Sequence, residues 1–262
     1  MHPMVNIAIR AARNAGNVIT RSMNRIDTLN VSEKSQNDYV SEVDYRAEQE
    51  IISTISRAYP DHAILAEESG ATNNTSECQW IIDPLDGTTN YLRGYPQYSV
   101  SIALKYRGKL EHGVVYDPLR DEIFSASRGQ GAQLNDRKIR VTNRRSLEGA
   151  LLGTGIPFRP DQDLDAYIET LRVLLPNTAG VRRAGSAALD LSYVAAGRLD
   201  GFWEFGLRPW DMAAGCLIIQ ESGGIVTDTD GSDNFLDSGN VVTGNIKVHE
   251  QMLKKLQRCG KN

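Results

Sequence analysis

Apolar positions recur at helical spacing near the start of the chain. Met4, Ile7, Ala8, Ala11, Ala15, Val18 and Ile19 share one face, which predicts an amphipathic helix over the first two dozen residues. A polar stretch, SEKSQND, then reads as a loop. A second helix is predicted from about Ser41 to Tyr59, with Ala47, Ile51, Ile52 and Ile55 towards the core and Pro60 ending it. Beyond it the period shortens. AILAEE reads as a short strand, and the nearly unbroken apolar run of QWIID predicts a strand buried on both faces.

From about Tyr98 to Val141, YSVSIALKY, HGVVYD and EIFSASR are separated by turn signals (RGK, DPLRD, RGQG), the pattern of a β-meander. Past Gly149 the chain alternates. ALLGTG, a strand near Val181, GFWEF, IVTD and NVVTG are interleaved with helical runs at DLDAYIETLRVLL, SAALDLSYVAAG, WDMAAGCLIIQESGG and KVHEQMLKKLQR. The prediction is a mixed α+β or α/β fold. A helix-rich, antiparallel N-terminal half (about 1–145) joins an alternating C-terminal half (about 146–262). No repeat, low-complexity tract or long linker divides them, so 1–262 reads as a single domain whose halves share one interface.

Composition narrows the function. The 262 residues are 40% hydrophobic and carry a formal net charge of -4, so no global basic field is available for nucleic acid. Cys78, Cys216 and Cys259 are scattered without CxxC spacing, which argues against a disulfide framework or structural zinc and for a reducing cytoplasm. The first twenty residues are broken by Asn6, Arg10, Arg13 and Asn14, unlike a signal peptide, and no stretch approaches a membrane span.

The chemistry concentrates in WIIDPLDGTTN, residues 80–90. Asp83 is predicted to close the strand, because Pro84 cannot donate to a ladder. The Leu85 carbonyl and Asp86 follow at once, making a compact set of hard oxygens suited to Mg²⁺ or Ca²⁺. Gly87, Thr88 and Thr89 could open a short helix whose amides bind an anion such as phosphate. A cation cage beside an anion cradle suits phosphate-ester hydrolysis. Each piece also has an ordinary reading. DPLDG is good turn chemistry, Glu67 and Glu68 could be a solvated strand end, and Asp211 could simply favour a helix start through the dipole. Asp44 completes an S-x-x-D capping box with Ser41. Arg182 and Arg183 precede a Gly-Ser helix entry and read equally as an anion contact or as exposed turn residues. His2, His62, His112 and His249 lack ligand spacing, no serine sits in a G-x-S-x-G elbow, and the Gly129–Gly131 loop reads as a hairpin connection.

With AEES, WIIDPLDGTTNY, VVYDPLRDE, RRAGSAALDLSYVAAGRLDGFWE, LRPWDMAAG and ESGGIV in view, the chain resembles the inositol monophosphatase family over essentially its whole length. The resemblance is strongest to the bacterial SuhB-type branch. It implies a layered αβαβα sandwich of the sugar-phosphatase kind, dimeric, hydrolysing phosphate monoesters with two to three Mg²⁺ ions at a site between the halves. By motif, Glu67, Asp83, Asp86 and Asp211 would supply carboxylate ligands and Leu85 its carbonyl, with Asp83 bridging two ions. Glu67 and Thr88 would polarise the attacking water, with Asp44 holding the Thr88 hydroxyl. Gly87 and Thr88 would hold the phosphate. Arg183, Ser186, Glu204 and Asp211 would face the substrate, and the loop carrying Lys34 would lie near a weaker third ion. Ala66, Ser41 and Pro209 depart from commoner family residues without touching a ligand position. The implied reaction is inositol-1-phosphate to myo-inositol and phosphate, in a lithium-sensitive family. A nucleotide 3′-phosphate, a sugar bisphosphate or glycerol-2-phosphate is the alternative substrate. The bacterial branch also implies a second role with RNA polymerase in ribosomal RNA antitermination.

Overall fold

The structure, a computed structural model, describes residues 2–29, 31–35, 38–72, 74–157 and 162–259. The first predicted helix is α1 (Pro3–Ser22), with Pro3 at its first turn and the His2 ring accepting the Met4 amide. A 3-10 turn, Met23–Thr28, follows. The SEKSQND segment differs from the predicted loop: it contributes to an antiparallel pair, β1 (Val31–Ser35) and β2 (Asp38–Ser41). Strands this short and polar carry no apolar alternation by which to read them. The Lys34 side chain lies outside the described residues. Helix α2 (Glu42–Ala58) comes next, then β3 (Ala63–Ala66), β4 (Gly70–Ala71), β5 (Cys78–Asp86) and the short α3 (Thr88–Leu92). The meander supplies β6 (Ser99–Tyr106), β7 (Lys109–Asp117), β8 (Glu122–Ser127), β9 (Gly131–Leu134) and β10 (Arg137–Lys138). Together they form an eight-stranded sheet of order β10-β9-β8-β7-β6-β5-β3-β4, antiparallel except for the parallel β3–β5 pair.

The C-terminal half alternates as predicted: β11 (Leu151–Thr154), α4 (Leu164–Leu174), β12 (Gly180–Arg182), α5 (Ala187–Ala195), β13 (Gly201–Glu204), α6 (Pro209–Glu221), β14 (Ile225–Thr227), α7 (Phe235–Ser238), β15 (Val241–Gly244) and α8 (Ile246–Cys259). Its five strands are ordered β12-β11-β13-β15-β14, with β11 parallel to both β12 and β13.

Side-chain alternation sorts these elements into layers. On β5, Trp80 and Ile82 join the core formed with α1 and α2, while Ile81 points into the core shared with α5 and α6. On β13, Phe202 enters that same central core and Trp203 enters a third one with α4 and α8. The order is therefore helix pair, sheet, helix pair, sheet, helix pair. Sequence explains which pair is central. In α6 every residue from Met212 to Ile219 is buried, as required of a helix enclosed on all sides. Helices α1 and α2 keep a polar face and cover the outside. At 13 residues, α6 is about 20 Å long, and no helix among the described residues is long and apolar enough to cross a membrane.

Candidate active site

The prediction that β5 ends at Asp83 needs correction. The strand continues to Asp86, with Asp83 opposite Ser101 and Asp86 opposite Ser99, so three steps on β5 face two on β6. This is a bulge. Pro84 falls inside it, where its missing N–H breaks no ladder bond. The extra residue turns the Leu85 amide back onto Asp83 Oδ1 at 2.9 Å and lets both aspartates line one cleft. Gly87 then takes φ +98° and starts α3. A Cβ there would come within 2.9 Å of the Gln97 carbonyl and 3.1 Å of the Gly185 carbonyl. Only glycine fits, both in conformation and in space.

The cleft has a volume of about 860 Å³ including its mouth. It gathers Glu67 just beyond β3, Asp83, Leu85 and Asp86 from the bulge, and Gly87 and Thr88 at α3. From the other half come Arg183, Ser186 at the α5 N-cap, Glu204 at the end of β13, and Asp211 in the first turn of α6. Arg182, by contrast, is exposed and bonds its neighbouring Val181 carbonyl. Asp44 does not line the cleft but supports it: its Oδ1 accepts the Thr88 hydroxyl at 2.9 Å, while Oδ2 accepts the Ser41 amide and hydroxyl at 2.9 and 2.6 Å. The capping box and the Thr88 contact thus coexist. The Leu85 carbonyl lies 3.0 Å from the same Thr88 hydroxyl.

Ser186 is tied into the carboxylate set. Asp86 Oδ2 accepts the Ser186 hydroxyl at 2.6 Å and the Ala188 amide at 2.8 Å, so β5 is pinned to the start of α5. Asn90 reinforces this joint by donating to the Gln97, Ala184 and Gly185 carbonyls at 2.7, 2.9 and 3.2 Å. Ser101 donates to the Trp210 carbonyl at 3.0 Å and anchors the start of α6, next to Asp211.

Concentrated negative charge is the dominant electrostatic feature. Burial raises the Asp83 carboxyl well above the usual range, and the charges of Glu67, Asp86 and Asp211 push it further. Asp86 is held up to about 6, mainly by burial, with the Ser186 and Ala188 bonds opposing the shift. Burial also raises Glu204 strongly, followed by repulsion from Asp211 and Asp190, while Arg183 acts in the other direction.

Among the described residues, no three His, Cys, Asp or Glu close into a ready-made metal cage. The oxygens instead stand around an open volume. The donor set still fits a hard divalent cation that keeps water and phosphate among its ligands. It is all oxygen, it combines carboxylates with a peptide carbonyl, and its mutual repulsion is the strain a cation would relieve.

Sequence reasoning missed Asp190. It is 2% exposed, lines the cleft, and carries a carboxyl raised by burial and by Asp86, again opposed by Arg183. Ser186 and Asp190 stand one turn apart on α5, so helical spacing from the Gly-Ser entry was the available signal. Gly155 was also missed. A Cβ there would collide with the Glu204 carboxylate, so glycine at this position makes the space Glu204 occupies.

The chain belongs to the inositol monophosphatase family, whose sequence model matches residues 1–261; this places it among phosphatases. It is 56% identical over 262 residues to the Nus factor SuhB of Pseudomonas aeruginosa, covering 98% of this chain and 97% of that one. The crystal structure of extragenic suppressor protein suhB from Bartonella henselae superposes with a TM-score of 0.95 at 43% identity, covering 98% of this chain and 99% of that one. The inositol monophosphatase of Anabaena gives 0.83 at 37% identity, covering 97% and 95%.

Proposed function

We propose that the chain hydrolyses inositol-1-phosphate to myo-inositol and phosphate in a Mg²⁺-dependent reaction. One arrangement carries this reading. Glu67, the Asp83–Asp86 bulge and the distant Asp211 line a single cleft with the Leu85 carbonyl and the Gly87–Thr88 segment. Phosphate-monoester hydrolysis is so slow uncatalysed that accelerations reach about 10²¹-fold, and electrostatic stabilisation is the main means of reaching them.

In this reading Glu67, Asp83, Asp86, Asp211 and the Leu85 carbonyl would hold Mg²⁺, with Asp83, the acid pressed by Glu67, Asp86 and Asp211 together, placed to be shared between two ions. A third, more weakly held ion would lie near the β1–β2 pair that includes Lys34. When bound, Mg²⁺ neutralises the phosphoryl oxygens and stabilises the leaving alkoxide. The amides of Gly87 and Thr88 hold the phosphate. Donating its proton to Asp44 leaves the Thr88 oxygen with lone pairs to accept a hydrogen bond from the attacking water, which Glu67 orients from the other side. Asp86 keeps Ser186 and the start of α5 against the phosphate end. Glu204, Asp190 and Arg183 face the polyol, where carboxylates accept hydroxyl protons and the guanidinium limits their repulsion. Lithium sensitivity is an expected family trait.

A different small phosphomonoester (a nucleotide 3′-phosphate, a sugar bisphosphate or glycerol-2-phosphate) remains the alternative. Phosphate release across this panel, with and without Mg²⁺, separates them. The proposal requires inositol-1-phosphate to give the highest kcat/KM and every rate to collapse in chelator.

A second reading has its own support in a relative of 56% identity named as a Nus factor. It is a cytoplasmic homodimer that also joins RNA polymerase during ribosomal RNA antitermination. In a deletion strain, complementation by an Asp83→Asn variant favours that assembly role. Complementation by active protein alone sinks it.

A further inference from the structure

Glu48 is not among the residues lining the cleft. It sits on α2 one helical turn beyond Asp44 and is 0% exposed. A carboxylate withdrawn so completely from water is costly unless its oxygens are satisfied. Both are. Oε2 accepts the Glu68 amide at 2.8 Å and Oε1 accepts the Ser69 amide at 2.9 Å. These are charge-assisted bonds, and taking one amide on each oxygen fixes the direction of the turn as well as its place.

What the turn carries gives the bonds their consequence. Glu67 immediately precedes the first of the two bonded amides. Its own amide donates to the Ile82 carbonyl at 3.1 Å, next to Asp83 on β5. The Glu67 backbone is therefore clamped upstream by the parallel ladder and downstream by Glu48. We propose that Glu48 is a positioning residue: it holds the Glu68–Ser69 peptides so that the Glu67 carboxylate enters the cleft at the right height beside Asp83. With Asp44 one turn earlier holding Thr88, α2 becomes the rail that sets both groups flanking the attacking water. The inference rests on the proposed reading of Glu67 as a Mg²⁺ ligand.

A simpler role would be a turn fastener with no effect on the site, and the molecule contains a matched example. The Glu221 carboxylate at the end of α6 accepts the Gly129 and Gly131 amides, both at 2.8 Å, in the turn between β8 and β9. It has the same bonding pattern and lies outside the cleft lining. Glu48→Gln and Glu221→Gln in the full-length chain therefore form a controlled pair. In each, glutamine keeps the shape and one acceptor but turns an NH₂ group towards an amide donor.

The test is calorimetric titration of Mg²⁺ into both variants and the parent protein, with thermal melts and Mg²⁺ dependence of phosphate release alongside. Supporting groups behind a metal ligand change affinity about 10- to 100-fold. Glu48→Gln should weaken Mg²⁺ binding and raise the half-activating Mg²⁺ concentration by at least about tenfold, with KM at saturating Mg²⁺ little changed. Glu221→Gln should lower Tm and leave Mg²⁺ affinity as it was. Should Glu48→Gln not fold, Glu48→Asp keeps the charge, shortens the reach, and is expected to weaken Mg²⁺ binding in the same direction. Parental Mg²⁺ affinity in a folded Glu48 variant with a lowered Tm makes the residue a fastener only and overturns the inference. A parent protein that binds no Mg²⁺ overturns the functional reading and this inference with it.

Discussion

Asp44 divides its two carboxylate oxygens between the fold and the site: Oδ2 caps α2 through Ser41, and Oδ1 accepts the hydroxyl of Thr88, 44 residues later in the chain. The two tasks are separable by mutation. Thr88→Ala removes the hydroxyl and leaves the cap, so kcat should fall by about 10²- to 10⁴-fold with little change in Tm. Asp44→Ala removes both, and by leaving the buried Ser41 amide without its acceptor should add a loss of about 1–3 kcal/mol in stability. Steady-state kinetics with thermal melts on the two variants check this. Equal destabilisation by both would show that the cap and the hydroxyl contact are not independent.

The Asp83 carboxyl is raised well above the usual range by burial and then by Glu67, Asp86 and Asp211. Asp83→Asn removes one of these repelling charges. It should raise Tm in metal-free buffer while abolishing phosphate release. Mg²⁺ at about 100 times its Kd should stabilise the parent by about 2.7 kcal/mol and leave Asp83→Asn almost unmoved. Scanning calorimetry in chelator and in Mg²⁺ reads both effects.

Gly155 and Glu204 compete for one volume, since a Cβ on the first would collide with the carboxylate of the second. Gly155→Ala should displace Glu204 from the polyol end and leave the phosphate end intact. The expected signature is a KM for inositol-1-phosphate raised roughly 10- to 200-fold, with hydrolysis of a small aryl phosphate nearly preserved. A parallel loss on both substrates would place Glu204 in the chemistry itself.

How much of this was legible beforehand follows from what sets each feature. Helices α1 and α2 were readable because one face must be apolar, and β5 because both of its faces are buried. Asp86 and Asp211 were readable as acids at element ends, whereas Asp83 lies inside β5, three residues before the strand stops. The β1–β2 hairpin was not, since its short polar strands leave no hydrophobic period. The bulge that carries β5 past Pro84 depends on its register against Ser99 and Ser101, a tertiary fact. Glu48 and Asp190 lay inside helical patterns where a buried acid looks like an ordinary polar position. Their roles come from partners that only the folded chain brings near, the Glu68–Ser69 amides for Glu48 and the cleft for Asp190.

His112 offers a pH test away from the cleft. It is buried, stacks on His2 with ring centroids 4.4 Å apart, and lies 2.9 Å from the Ser127 hydroxyl. Burial, then the neighbouring His2, depress its pKa from 6.5 to about 4. Between those values the unfolded chain binds a proton that the folded chain excludes. Its contribution to stability is therefore intact above pH 6.5 and is lost as pH falls towards about 4. Relative to His112→Gln, the parent should lose Tm progressively across that interval and show a constant difference above it. A difference independent of pH from 4 to 7 would refute the assignment.

The central claim is that acids from both halves of the chain hold divalent ions in one cleft. Anomalous diffraction from crystals soaked in Mn²⁺, a scatterer that replaces Mg²⁺ on oxygen ligands, tests it most directly. The account predicts two peaks within about 2.0–2.6 Å of oxygens from Glu67, Asp83, Asp86, Asp211 and the Leu85 carbonyl, with Asp83 touching both. A saturated crystal whose cleft shows no manganese peak would contradict it.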